Sequence, residues 1–244
     1  KPARKIRRIL SEIISRRFEE VKQSGASSKQ DILSGLMEAK DPVAGDRFTY
    51  QETVDQVCML FLAGHETSAS ALAWSLYLLS HRPDLQERMR EEIQEHTAGG
   101  DLSFSAIRKL RLTSNVFREA LRLYPPVGFF VREAAQDSPI RDKNVPAGSP
   151  VLISPWLIQR HRDLWERPDE FDPDRFDSTA GKESSKCAYI PFSAGPRVCV
   201  GMAFATQEAL LILSSIVRRY KIEPVKSHEP RPVGRVTVRS DNGI

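Results

Sequence analysis

Phe192-Ser193-Ala194-Gly195-Pro196-Arg197-Val198-Cys199-Val200-Gly201 is a ten-residue stretch that runs straight into the helical pattern Met202 to Tyr220. A cysteine between glycines just where a helix begins lies at the positive end of that helix, with Arg197 two residues away. A sulfur so placed is a candidate metal ligand. Gly195 and Gly201 let the backbone fold tightly around it and let a flat ligand lie close, which bulkier residues would prevent. A lone cysteine beside a helix packs as a small hydrophobe. The surrounding pattern reverses that reading, and the stretch reads as the ligand loop of a haem iron.

Composition sets the frame around that loop. A chain of 244 residues, 40% hydrophobic and 28% charged, can bury one good core in one domain or at most two. The net charge of +4, from 36 basic against 32 acidic residues, is modest and spread out, so nucleic acid is not an expected partner. The densest basic stretch is N-terminal, where Lys1, Arg4, Lys5, Arg7, Arg8, Arg16 and Arg17 interleave with Ile6, Leu10, Ile13, Ile14 and Phe18. That spacing reads as an amphipathic helix with a solvated basic face, in preference to a membrane-surface or nucleic-acid arm. Cys58, Cys187 and Cys199 fit neither a disulfide framework nor a zinc spacing, which points to a reducing compartment, the cytoplasm. No signal peptide is read, and the longest apolar run, Val57 to Gly64, is too short to span a bilayer.

The rest of the chain reads mostly as helix. Ser24 to Lys29 is a polar linker, and Asp31 to Lys40 a short helix capped by Asp31 and closed by Asp41-Pro42 and Gly45. Thr49 and Glu52 form a capping-box pair that opens one long buried helix to about Ser80. His81-Arg82-Pro83 breaks it. Helices follow at Pro83 to Glu95, Ser103 to Lys109 and Thr113 to Tyr124, the last stopped by Pro125-Pro126. Strands are expected at Gly128 to Arg132 and Val151 to Ser154, then an irregular, proline-punctuated stretch from Trp156 to Pro191. Lys221 to Val225 and Arg235 to Arg239 are terminal strand candidates.

Three further clusters carry chemistry. In Ala63-Gly64-His65-Glu66-Thr67-Ser68 a glycine sits mid-helix, at a cost of about 1 kcal/mol against alanine, which suggests that something approaches the backbone closely. The Thr67 hydroxyl can bond back to the carbonyl near Ala63 and open a pocket for a small polar ligand, with Glu66 as an ionisable neighbour. An incidental glycine in a core helix accounts for the hexapeptide equally well. Glu119 and Arg122 stand three apart on one helical face; such pairs are common and usually solvated. Phe171-Asp172-Pro173-Asp174-Arg175-Phe176 sets an arginine between aromatics in a rigid turn, its planar fork suited to a carboxylate already held by another arginine. Arg132 ends a strand candidate, where an edge charge is the plain reading. His65 and His161, as lone histidines, are read as hydrogen-bonded structural groups.

The spacing Phe-x-x-Gly-x-Arg-x-Cys-x-Gly resembles the haem-binding signature of the cytochrome P-450 monooxygenases. Four motifs occur in that family's order: the Gly-x-Glu-Thr helix, the Glu-x-x-Arg helix, the Pro-x-Arg-Phe turn and the cysteine loop. The resemblance implies a mainly α fold with a minor β-sheet and haem b (iron protoporphyrin IX) as cofactor. It makes Cys199 the iron ligand, Arg197 and Arg132 propionate partners, and Phe192, Gly195 and Gly201 the rest of the haem-binding set. Thr67, Glu66 and Gly64 become the proton-delivery segment for the dioxygen whose O–O bond is to break. Glu119, Arg122 and Arg175 become a structural ion-pair triad.

The activity so implied is insertion of one oxygen atom from O2 into an apolar small-molecule substrate. Electrons would come from a ferredoxin or a flavoprotein reductase, since no nucleotide or flavin fingerprint is present. A non-catalytic haem-binding module and a reductase-independent haem-thiolate isomerase or peroxygenase are the alternatives. The resemblance covers the family's C-terminal half only. Residues 1–244 are therefore expected to be a partial cytochrome P-450 domain, from before the long central helix to the end, with the N-terminal half absent and little or no activity alone. A membrane anchor in that half stays open.

Overall fold

Apolar spacing in the first two dozen residues gives helix α1 (Pro2–Ser24). The computed structural model describes residues 2–24, 27 and 29–244, in two compact units, residues 1–65 and 66–244. Of the polar linker Ser24 to Lys29, residues 25, 26 and 28 lie outside the described residues.

In the first unit Ile14 on α1 is buried, and so is Arg17, which corrects the expectation that every N-terminal cation is solvated. The reason is Asp31. It N-caps α2 (Ile32–Glu38) by accepting from Ser34 N, and it holds the Arg17 guanidinium at 3.0 Å, with Ser27 and Ser34 as further acceptors. Helix α3 (Tyr50–Ser80) opens on the capping box: Glu52 accepts from Thr49 N at 2.8 Å and its own N–H donates to Thr49 Oγ1 at 3.3 Å. The expectation of one long buried helix is corrected. Met59, Phe61 and Leu62 are about half exposed, whereas Trp74 and Leu79 on the same helix are fully buried. Apolar residues surround this helix on all sides, but it is buried only at Thr53 and Val54 near its start and again from about Ser70 onward.

The second unit packs α3 residues Ala71 and Leu79 with α4 (Pro83–Thr97), α6 (Arg111–Leu123) and α9 (Met202–Arg219), with the short α5 (Phe104–Ile107) alongside. Leu85, Met89, Val116, Phe117, Leu213 and Val217 form the centre. Burying a large apolar side chain contributes about 1.5–3 kcal/mol, so this cluster fixes the frame. No side chain of its own caps α6; Glu92 of α4 does so instead, accepting from Leu112 N at 2.6 Å and Thr113 N at 3.0 Å.

The strands form two-stranded antiparallel ribbons among the described residues. β1 (Phe130–Glu133) pairs with β4 (Pro150–Ile153), placing Arg132 opposite Val151. Between them β2 (Ser138–Ile140) and β3 (Lys143–Val145) make a hairpin, two strands beyond those expected from the sequence. The stretch from Trp156 to Pro191 is not irregular throughout. It follows the start of α7 (Pro155–Ile158) and holds a 3₁₀ turn at Pro173–Asp177 and α8 (Thr179–Ala188). Helix α8 is small and polar, TAGKESSKCA, and lacks the apolar stripe that announces a helix.

The last ribbon is β5 (Pro232–Gly234) with β6 (Val238–Ser240), so the candidate at Arg235 to Arg239 is shifted: Arg235 N bonds Thr237 O in the turn, and pairing begins at Val238. Lys221 to Val225 is no strand. Ile222 finds its backbone partners in a side chain: Gln86, fully buried, donates to Ile222 O at 2.9 Å and accepts from Ile222 N at 2.9 Å. One amide thus replaces a neighbouring strand.

Candidate active site

The cysteine loop is shaped by its own backbone. A 3₁₀ turn at Gly195–Arg197 bonds Val198 N to Gly195 O, and Cys199 N then reaches back to Phe192 O at 2.9 Å, so the chain closes on itself around the thiol. Gly195 takes φ +68°, a left-handed conformation that glycine adopts without strain. Met202, the first residue of α9, donates its N–H to Cys199 O at 3.3 Å, which ties the cysteine to the helix start. The Cys199 side chain is exposed, and a Cβ added at Gly201 would stand 3.8 Å from its sulfur.

Arg132 on β1 reaches this loop, its Nη2 donating to Ser193 Oγ at 3.1 Å while the guanidinium lies 4.7 Å over the Phe130 ring. Arg197 is exposed and has no hydrogen bond or ion pair among the described residues. Around the sulfur in sequence, Val198, Val200 and Phe204 expose apolar side chains, Val200 at 84%. One soft sulfur donor, apolar side chains open to solvent and two arginines suit a flat, largely apolar macrocycle carrying carboxylates, so the residues present fit a haem. Among the described residues no cluster of three or more His, Cys, Asp or Glu could hold a metal by itself.

The α3 hexapeptide is divided between the two units. Gly64 lies in the first, where a Cβ would meet nothing within 4 Å. Glu66 and Thr67 lie in the second. The Glu66 carboxylate accepts from Thr237 Oγ1 at 2.5 Å, and one turn on Ser70 Oγ donates to Val238 O at 2.6 Å. Thr237 was missed in the sequence as a site residue. It sits 171 positions from Glu66, and no local pattern announces the contact.

Glu119, Arg122 and Arg175 meet in the interior. Glu119 and Arg122 side chains are fully buried and that of Arg175 is 5% exposed, unlike the usual solvated pair. Arg122 binds Glu119 twice, at 2.8 and 2.9 Å, and Arg175 Nε adds a bond at 2.7 Å. Further guanidinium N–H groups donate to carbonyls of Gln159, Pro168 and Glu170 from Arg122, and of Glu166, Arg167 and Glu170 from Arg175. Every nitrogen of the two buried guanidinium groups thus donates to an acceptor, and the segment 159–175 is stitched to α6. Gln159, also unforeseen, carries the stitching to the cysteine loop: its amide donates to Leu121 O and Arg122 O and accepts from Ile190 N. Beyond the triad, Tyr189 is partly buried with its hydroxyl donating to Arg118 O, and desolvation pushes its phenol pKa up. His65 stacks on Phe61 at 6.3 Å, and His161 Nδ1 accepts from Asp163 N at 3.2 Å.

With that geometry in view, a family model for Cytochrome P450 matches residues 1–241. Cyclooctatin synthase of Streptomyces melanosporofaciens is 37% identical over 91% of this chain and 49% of its own length. Cyclooctat-9-en-7-ol 5-monooxygenase of the same organism is 35% identical over 88% of this chain and 47% of its own. A solved cytochrome P450, CYP102L1, superposes with a TM-score of 0.87 and 29% identity, covering 98% of this chain and 55% of that one. The chain spans about half the length of the curated relatives it matches. No helix among the described residues is long and apolar enough to cross a membrane.

Proposed function

Because this chain belongs to the cytochrome P450 family, we propose that Cys199 is the protein ligand of a haem iron and that the protein is a haem-thiolate monooxygenase. The observation that carries the reading is the loop itself, an exposed thiol held by the 2.9 Å bond from Cys199 N to Phe192 O. We read residues 1–244 as the ligand-bearing portion of such a domain. When bound, the haem supplies the redox-active iron at which dioxygen is activated.

Everything else in the reading concerns the chain's own groups. The Cys199 loop fixes the direction of the sulfur, and Phe192, Gly195 and Gly201 keep its surroundings close and flat. Arg132 and Arg197 offer guanidinium forks to the two propionates. Glu66 and Thr67 hold and pass protons on the oxygen side, and Gly64 leaves room there. Two electrons and two protons reduce one oxygen atom of O2 to water while the other enters the substrate; a ferredoxin or flavoprotein reductase is the proposed donor. An apolar substrate fits the half-exposed Phe129 and the hydrocarbon-based name of the second Streptomyces relative.

Expression with haem supplied, reduction and carbon monoxide treatment tests the assignment. The wild-type chain is expected to give the red-shifted absorption band of an anionic sulfur ligand, and Cys199→Ser to lose it. A band that survives Cys199→Ser, or is missing from the haem-loaded wild type, refutes the proposal.

A further inference from the structure

We propose that Thr237 is a positioning residue for the carboxyl of Glu66, so that the C-terminal ribbon β5–β6 sets the direction from which protons are supplied. The proposal rests on the role given to Glu66 above.

Glu66 lies on an exposed part of α3, where a side chain with three torsions samples many rotamers. Among the described residues the Thr237 hydroxyl is the one hydrogen-bond partner of its carboxylate, at 2.5 Å. Thr237 itself is 5% exposed and cannot wander. The next residue, Val238, is pinned on both sides of its backbone, its N–H on Pro126 O at 2.7 Å and its C=O on Ser70 Oγ at 2.6 Å. Ser70 follows Glu66 by one helical turn. The ribbon is thus fastened to α3 at the turn beside the glutamate, and its pairing, Gly234 with Val238 and Val233 with Arg239, makes it stiff. A mobile carboxylate held by a hydroxyl on a fixed backbone takes one orientation. A hydrogen bond to a charged group is also among the stronger ones a side chain makes.

The test compares Thr237→Val, which keeps the branched shape, Thr237→Ala, which relieves any crowding by the new methyl, and Thr237→Ser, which keeps the hydroxyl. The first readout is the infrared carboxylate band of Glu66 in the full chain, assigned as the band that Glu66→Gln deletes. Thr237→Val and Thr237→Ala are expected to move it toward the position of a hydrated carboxylate, and Thr237→Ser to restore it. The second readout is the ratio of hydrogen peroxide to product in haem-loaded protein with an electron donor. It should rise about tenfold in Thr237→Val and return in Thr237→Ser, the size expected for one hydrogen bond to a charged group. A band unmoved by loss of the hydroxyl, or moved equally by Thr237→Ser, overturns the proposal. Absence of the thiolate band in the carbon monoxide spectrum overturns the functional reading instead, while the infrared result still decides the contact.

Discussion

Position 181 admits nothing larger than glycine, because a Cβ there would lie 1.9 Å from Arg175 O and 2.7 Å from the carbonyl carbon. Those are backbone atoms of the turn whose side chain binds Glu119, and they have nowhere to go. Gly181→Ala is expected to cost about 3 kcal/mol or more, as overpacking against rigid backbone does. Urea unfolding followed by circular dichroism measures it, and an unchanged midpoint refutes the crowding. The same scale divides what the sequence pattern discloses from what it hides. Cys199 stands out because its glycines, arginine and following helix are all local. Ser193 does not, since the partner of its hydroxyl is Arg132, on a strand 61 residues away.

Between elements, charge does the work that an isolated pair of charges does not. Glu119 accepts four hydrogen bonds, from Arg122 twice, from Arg175 Nε and from Asp172 N at 3.1 Å. An amide in its place keeps one oxygen and leaves buried guanidinium groups facing its N–H donors. Glu119→Gln is therefore expected to destabilise by about 3–5 kcal/mol, the range for breaking a buried ion pair. It should also weaken haem retention, because Gln159 passes the order of this segment to Ile190, two residues before Phe192. Thermal melting and haem titration check the two effects. The Glu-x-x-Arg spacing was legible as a pair on one helix face; its complete burial was not, because the carbonyls that satisfy the arginines come from a loop without periodicity. The false strand at Lys221 to Val225 fails for a related reason: apolar alternation says nothing about whether a buried glutamine such as Gln86 takes the backbone partners.

For the molecule as a whole, ion pairs of aspartates set the acid limit. Arg17, with help from Ser34, holds the Asp31 carboxyl down from 3.8 to about 2. Asp84 and Asp174 are lowered as well, by Arg82 and Arg88 respectively. A carboxylate whose folded pKa is depressed stabilises the fold fully above its unfolded value and loses that contribution as pH falls through the folded one. Stability should therefore decline between about pH 4 and pH 2. Arg17→Leu should be less stable than wild type at pH 6, and the gap should narrow as pH falls toward 2, where the wild-type Asp31 is itself taking up its proton. Denaturant midpoints at the two pH values check this, and a gap that widens on acidification refutes the pairing. Local chemistry was enough to specify the helices with apolar stripes, the capping box and the motifs that marked the family, because each depends on residues within a few positions of one another. Which cations are buried, which side chain stands in for a strand and which hydroxyl holds Glu66 depend on atoms brought together from up to 171 positions apart, and those encounters exist only once the core has closed.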